Sequence, residues 1–115
     1  MHEFSLVQSL LVSVERTAAE HGADGVTRIV VRYGPLSGVV PHLLTTAFDT
    51  FKEGTIAAAA RLELAPEPLR LNCRTCGKHS DVAEPRFKCP HCGSNDVGSE
   101  NGDALILEQV ELECP

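Results

Sequence analysis

The apolar residues of this chain change their period several times, and each change marks an element. From Glu3 to His21 they recur every three or four positions, at Phe4, Val7, Leu11, Val14 and Ala18, with Leu10 widening the stripe. That is the period of a helix with one buried face, and Gly22 suits the position just past its end. Residues 26–33 (Val-Thr-Arg-Ile-Val-Val-Arg-Tyr) are rich in β-branched side chains and predict a strand. Arg28 and Arg32 share a face with Val30, while Ile29, Val31 and Tyr33 share the other, so one face is expected to be solvated. Gly34-Pro35 and Ser37-Gly38 predict a loop. Pro41 suits the first turn of a second helix, which Leu44, Ala47, Phe48 and Phe51 keep apolar on one side and Gly54 ends. Ala60, Leu62 and Leu64 alternate with Arg61, Glu63 and Ala65 in a second strand, closed by Pro66 and Pro68. Residues 104–112 predict a third strand with Ala104, Ile106, Val110 and Leu112 facing inward. Glu108 interrupts that row and Leu105 and Leu107 occupy the other face; a bulge and a covered edge both account for the break.

Between the second and third strands the character changes. Residues 71–100 are polar and hold four of the five cysteines. The expected fold is therefore α+β: two helices packed on a small three-stranded sheet, with a zinc-ribbon-like module inserted before the last strand. The expected division is an α/β domain of residues 1–70 plus 103–115 and a metal-binding module of residues 71–102. A chain of 115 residues allows one ordinary domain or two very small ones. The polar insert cannot bury enough apolar surface to fold alone, so bound metal must supply much of its stability.

The cysteines carry the chemistry. Cys73-Arg-Thr-Cys76-Gly and Cys89-Pro-His-Cys92-Gly are two Cys-x-x-Cys pairs with twelve residues between them. Each pair can grip one ion through a tight turn, with Gly77 and Gly93 where such a turn needs a positive φ. Together they offer a tetrahedral all-sulfur site of the kind zinc occupies. A single iron uses the same ligands, and the ligand type does not separate the two. Two disulfides are the bland alternative. The chain shows no secretory signal and no apolar run long enough to cross a membrane, which points to a reducing cytoplasm where stable disulfides are rare. Cys114 has no partner in the pattern. His79 and His91 lie beside the pairs, as alternative ligands or as ordinary polar residues of a metal loop.

The formal net charge of −6 weighs against nucleic-acid binding, since phosphate needs a positive face. Arg70, Arg74, Lys78, Arg86 and Lys88 nevertheless gather around the cysteine pairs, so a zinc ribbon that binds nucleic acid is one alternative function. A small iron redox protein is another. No nucleophile–base pair, phosphate loop or catalytic carboxylate dyad stands out, and an enzyme is not expected.

The start of the chain, Met1-His2-Glu3, offers a second kind of metal site. The terminal amine, the ionised amide of His2 and its imidazole can close a five- and a six-membered chelate ring on one ion, with the Glu3 amide in reach. Such nitrogen sets favour Ni(II) or Cu(II). Glu3 is equally readable as a carboxylate placed near a helix N-terminus.

The opening Met-His-Glu-Phe-Ser-Leu, together with the upstream cysteine pair and Glu84-Pro-Arg-Phe-Lys-Cys-Pro-His-Cys-Gly-Ser94, resembles the HypA/HybF family of hydrogenase maturation factors over nearly the whole chain. The resemblance implies a nickel metallochaperone that delivers Ni(II) to the large subunit of [NiFe]-hydrogenase in company with the GTPase HypB. It implies His2 as the nickel ligand, flanked by the backbone nitrogens of His2 and Glu3. It implies Cys73, Cys76, Cys89 and Cys92 as ligands of a structural zinc. A solvent-exposed terminus suits metal exchange and a closed tetrathiolate does not.

Overall fold

In the computed structural model the described residues are 2–84 and 86–115, with His2 described by its backbone alone. The elements run α1 (His2–Glu20), β1 (Gly25–Tyr33), α2 (Pro41–Phe51), β2 (Arg61–Pro66), β3 (Leu69–Cys73), β4 (His79–Val82), β5 (Val97–Ser99) and β6 (Leu105–Glu113). Two three-stranded sheets result, ordered β2-β1-β6 and β4-β3-β5. The α+β expectation, with two helices and a cysteine module ahead of the last strand, matches this architecture. The chain forms two compact units: Met1–Val31, Val39–Ala65 and Ile106–Pro115 make the first, and Arg32–Gly38 with Pro66–Leu105 the second. Among the described residues no helix is long and apolar enough to cross a membrane.

In the first unit the helical stripes behave as their spacing requires. Val7, Val14 and Ala18 are wholly buried and Leu11 nearly so, as are Leu44, Ala47 and Phe48 of α2. The two helices meet at their ends through Phe4 and Phe51, whose rings stand edge to face with centroids 5.1 Å apart. Pro41 occupies the first turn of α2, where its missing N–H costs nothing.

Two strand expectations need correction. Val30 is buried alongside Ile29 and Val31, so the Arg28 face of β1 is not simply solvated. Arg28 lies on the central strand and reaches both neighbours, donating to Glu63 of β2 at 2.6 Å and to Glu111 of β6 at 2.7 Å. The Arg28 hydrogen bond holds the Glu63 carboxyl below its ordinary range and raises the guanidinium in turn. All three side chains remain about one-third exposed or more, so the ladder aligns the strands more than it stabilises them. In β6, Ile106 is exposed rather than buried. Leu105, Leu107, Val110, Glu111 and Leu112 are half-buried, and Glu108 and Gln109 are exposed in succession, so the strand lacks the single buried row that its even positions predicted.

The second unit contains a sheet that the polar insert did not advertise. β3 alternates strictly, with Leu69, Leu71 and Cys73 buried. It pairs antiparallel with β4 from Leu69↔Val82 to Asn72↔His79, and with β5 from Leu71↔Ser99 to Cys73↔Val97. Leu69, Leu71, Cys73, Cys89 and Val97 form one small core, with Val82 against it. The loop after β1 closes on the segment before β6: the Gly34 N–H donates to Ala104 O at 2.9 Å and the Leu36 N–H to Gly102 O at 2.7 Å. A Cβ on Gly34 would overlap the Gly102 carbonyl, and one on Gly102 would press on Leu69 Cδ1 at 2.7 Å.

Two substitutions test this packing. Phe48→Ala empties a wholly buried ring site and should cost about 3–5 kcal/mol in urea unfolding followed by the helix signal. A loss of about 1 kcal/mol or less would place the ring outside the core. Gly34→Ala should destabilise by more than about 3 kcal/mol and speed amide exchange at Leu36. Gly38→Ala, at φ 77° with open space around it, should cost only about 1–2 kcal/mol. Equal costs at the two glycines would mean that the close approach to Gly102 is not a constraint.

Candidate metal centre

The two cysteine pairs fold into the same local turn. In each, the first cysteine's N–H donates to the carbonyl five residues on: Cys73 to Lys78 at 3.1 Å, Cys89 to Ser94 at 2.9 Å. The glycine N–H returns to the first cysteine's carbonyl, from Gly77 to Cys73 at 3.0 Å and from Gly93 to Cys89 at 2.9 Å. These bonds require φ of 74° at Gly77 and 77° at Gly93, a conformation in which a Cβ is disfavoured. Each turn also aims an amide at its first sulfur: Cys76 N–H to Cys73 Sγ and His91 N–H to Cys89 Sγ, both at 3.4 Å. The turns are tied to each other. The Arg74 N–H donates to Asp96 O at 3.0 Å, the Arg74 guanidinium bonds the Asp96 carboxylate at 2.9 Å, and the Thr75 and Ser94 hydroxyls are 2.8 Å apart. Only the cysteine spacing was visible in the sequence; these cross-links join positions about twenty apart and carry no pattern of their own.

The result is a cluster of Cys73, Cys76, Cys89 and Cys92 whose four sulfurs all lie within 4.8 Å of one another. The closest approaches run between the turns, Cys73 to Cys92 at 3.6 Å and Cys76 to Cys89 at 3.7 Å. Four thiolates about 2.3 Å from a tetrahedral zinc stand about 3.8 Å apart, so these residues fit the ion. A disulfide needs about 2.05 Å, and all five cysteines are free thiols. Cys73 and Cys89 are buried; Cys76 and Cys92 are exposed.

The acidities of the thiols reflect how closely the four sulfurs are packed and which amides they accept. The Cys92 amide, helped by that of His91, lowers the Cys89 thiol to about 6, against the opposing effect of desolvation. Cys73 is lowered in the same way, chiefly by the Cys76 amide. The Ser94 amide pulls Cys92 down, but desolvation and the three neighbouring thiols push it up to about 12. Sulfurs this close cannot all ionise unless a positive charge joins them.

Neither His79 nor His91 enters the cluster of ligand atoms among the described residues. His79 Nδ1 instead lies 3.0 Å from Glu100 Oε1. Cys114 is exposed, with Sγ 3.8 Å from the His21 carbonyl. Of the expected nickel ligands, Glu3 stands half-buried in the first turn of α1. Met1 and the His2 side chain lie outside the described residues.

The family model described as "Hydrogenase/urease nickel incorporation, metallochaperone, hypA" matches residues 1–112. A hydrogenase maturation factor HypA from Aquifex aeolicus is 50% identical over 113 residues, covering 98% of each chain. One from Shewanella halifaxensis is 41% identical at the same coverage. Among solved structures, the Ni metallochaperone HypA of Helicobacter pylori is similar with a TM-score of 0.69 and 28% identity, over 98% of both chains. A second solution structure of a HypA protein reaches 0.72 at 29%, covering all of this chain and 98% of the other. With a family match that runs from the first residue through the cysteine module to the last strand, this chain belongs to the HypA family of nickel metallochaperones, which carry metal and catalyse no reaction.

Proposed function

We propose that this chain binds Ni(II) at its N-terminus through His2, with the backbone nitrogens of His2 and Glu3, and delivers it for maturation of [NiFe]-hydrogenase. The family match over residues 1–112 carries this reading, together with the Met1-His2-Glu3 opening. Nickel passes to the hydrogenase large subunit, with the GTPase HypB supplying the nucleotide chemistry that this chain lacks. The compartment proposed is the cytoplasm. The exposed face of α1, with Gln8, Glu15 and Arg16, is the surface offered to the GTPase.

Cys73, Cys76, Cys89 and Cys92 hold a structural zinc. The sulfur spacing supports this, as does a polar unit whose core is only five residues and a flanking valine. The nucleic-acid alternative draws little from the basic residues near the cysteines. Arg70, Arg74 and Arg86 are each paired, with Asp81, Asp96 and Glu84. The second unit as a whole carries six basic and six acidic residues, so its face is balanced rather than positive.

Protein purified without a tag should contain one zinc per chain, and Cys76→Ser should lose it and disorder β3–β5 while α1 and α2 persist. Zinc binding at pH 7 should release protons, since Cys92 is a thiol until the ion arrives. Affinity should rise with pH and fall as acid passes about 6, where Cys89 takes its proton back. Metal analysis and titration in two buffers of different ionisation heat check both. A variant that stays ordered and zinc-loaded, or a red colour in the native protein, would overturn the zinc assignment.

For nickel, His2→Ala should abolish tight binding in a Ni(II) titration and leave zinc and helix content unchanged. A short N-terminal extension separates the donors: it weakens binding if the amine is a ligand and changes little if the amides of His2 and Glu3 suffice. Equal nickel affinity in wild type and His2→Ala would sink the delivery mechanism.

A further inference from the structure

The sulfur cluster has an asymmetry that ligation alone does not use. Each turn contributes one buried residue, Cys73 or Cys89, and one exposed residue, Cys76 or Cys92. The sulfur of each exposed residue has its close neighbour in the other turn: Cys76 Sγ lies 3.7 Å from Cys89 Sγ and Cys92 Sγ 3.6 Å from Cys73 Sγ. The buried sulfurs accept amides from their own turns, which fixes them in place as their neighbours move. We infer that Cys76 and Cys92 are modification sites for a hydroperoxide, and that each oxidised sulfur is resolved across the cluster, giving the disulfides Cys76–Cys89 and Cys73–Cys92. The inference rests on the reading of these four thiolates as one metal site.

The chemistry balances in two steps. The exposed thiolate attacks the peroxide O–O bond and becomes a sulfenic acid, and the second peroxide oxygen leaves as hydroxide, or as an alkoxide from an organic peroxide. The buried thiolate from the other turn then attacks that sulfur and expels its hydroxyl as hydroxide. Two sulfurs lose two electrons and one peroxide gains them. With two of its four donors consumed, the set can no longer surround a zinc ion, so oxidation releases the metal. A second equivalent closes the remaining pair. Cross-turn connectivity also preserves the fold of the unit. Both bonds join β3 and its turn to the second cysteine turn, as the ion would, so the oxidised unit keeps β3–β5 without metal. A bond within either pair would tie a turn to itself and leave the two turns unlinked.

The test uses the full chain, as wild type and as Cys114→Ser, so that the exposed fifth thiol cannot exchange into the bonds. Zinc-loaded protein is treated with hydrogen peroxide, released zinc is read with a chromophoric chelator, and disulfides are mapped by mass spectrometry after digestion at low pH. The expected result is zinc release with the first equivalent of peroxide, and 76–89 and 73–92 as the dominant bonds after the second. Dithiothreitol and zinc together should reverse it. Metal-free oxidised protein should show protected amides at Leu71 and Arg70, where reduced metal-free protein shows none. Bonds 73–76 and 89–92, sulfinic acid without disulfide, or retained zinc would each overturn the inference. If no zinc is bound at the outset, the metal reading fails, and the map alone decides whether the cross-turn pairing stands.

Discussion

Four sulfurs held within 4.8 Å of one another are the constraint on which the second unit depends. The unit's hydrophobic core is small, and two of its members, Cys73 and Cys89, also belong to the sulfur cluster. Core and metal centre are therefore one structure. Backbone amides drive the Cys89 thiol down, while desolvation and the neighbouring thiols drive Cys92 up. A divalent cation resolves that conflict and turns the same crowding into cohesion.

The turns that gather the sulfurs are built from backbone bonds, and the sequence requirement is correspondingly short: a cysteine, two variable residues, a cysteine and a glycine that tolerates positive φ. What holds one turn against the other is different in kind. The Arg74–Asp96 and Thr75–Ser94 contacts are exposed and individually weak. Their role is to set the spacing between turns, which decides both the fit to a tetrahedral ion and which sulfurs are neighbours.

Charge is divided unequally between the two units. The first carries four basic and ten acidic residues, so the whole net charge of −6 resides there, and the second is neutral. An acidic unit favours the approach of a divalent cation over that of an anion. The neutral unit exerts no such net attraction.

The helices and the first two strands were legible because their information is local. Period and punctuation place α1 and α2 to within a residue or two, since a buried face at 3.6-residue spacing needs no distant partner to be recognised. The cysteine spacing likewise foretold the four-sulfur cluster, because a tight turn and two soft donors are a local demand. Tertiary structure alone decided the rest. β3, β4 and β5 are short strands hidden among prolines, glycines and charges, and they exist because Leu69, Leu71 and Val97 find one another across the chain. The pairing of Arg28 with Glu63 and Glu111, the approach of Gly34 to Gly102 and the choice of neighbour for each sulfur are all contacts between distant positions. Such contacts are specified only once loops have closed and register is set, so no window along the sequence contains them.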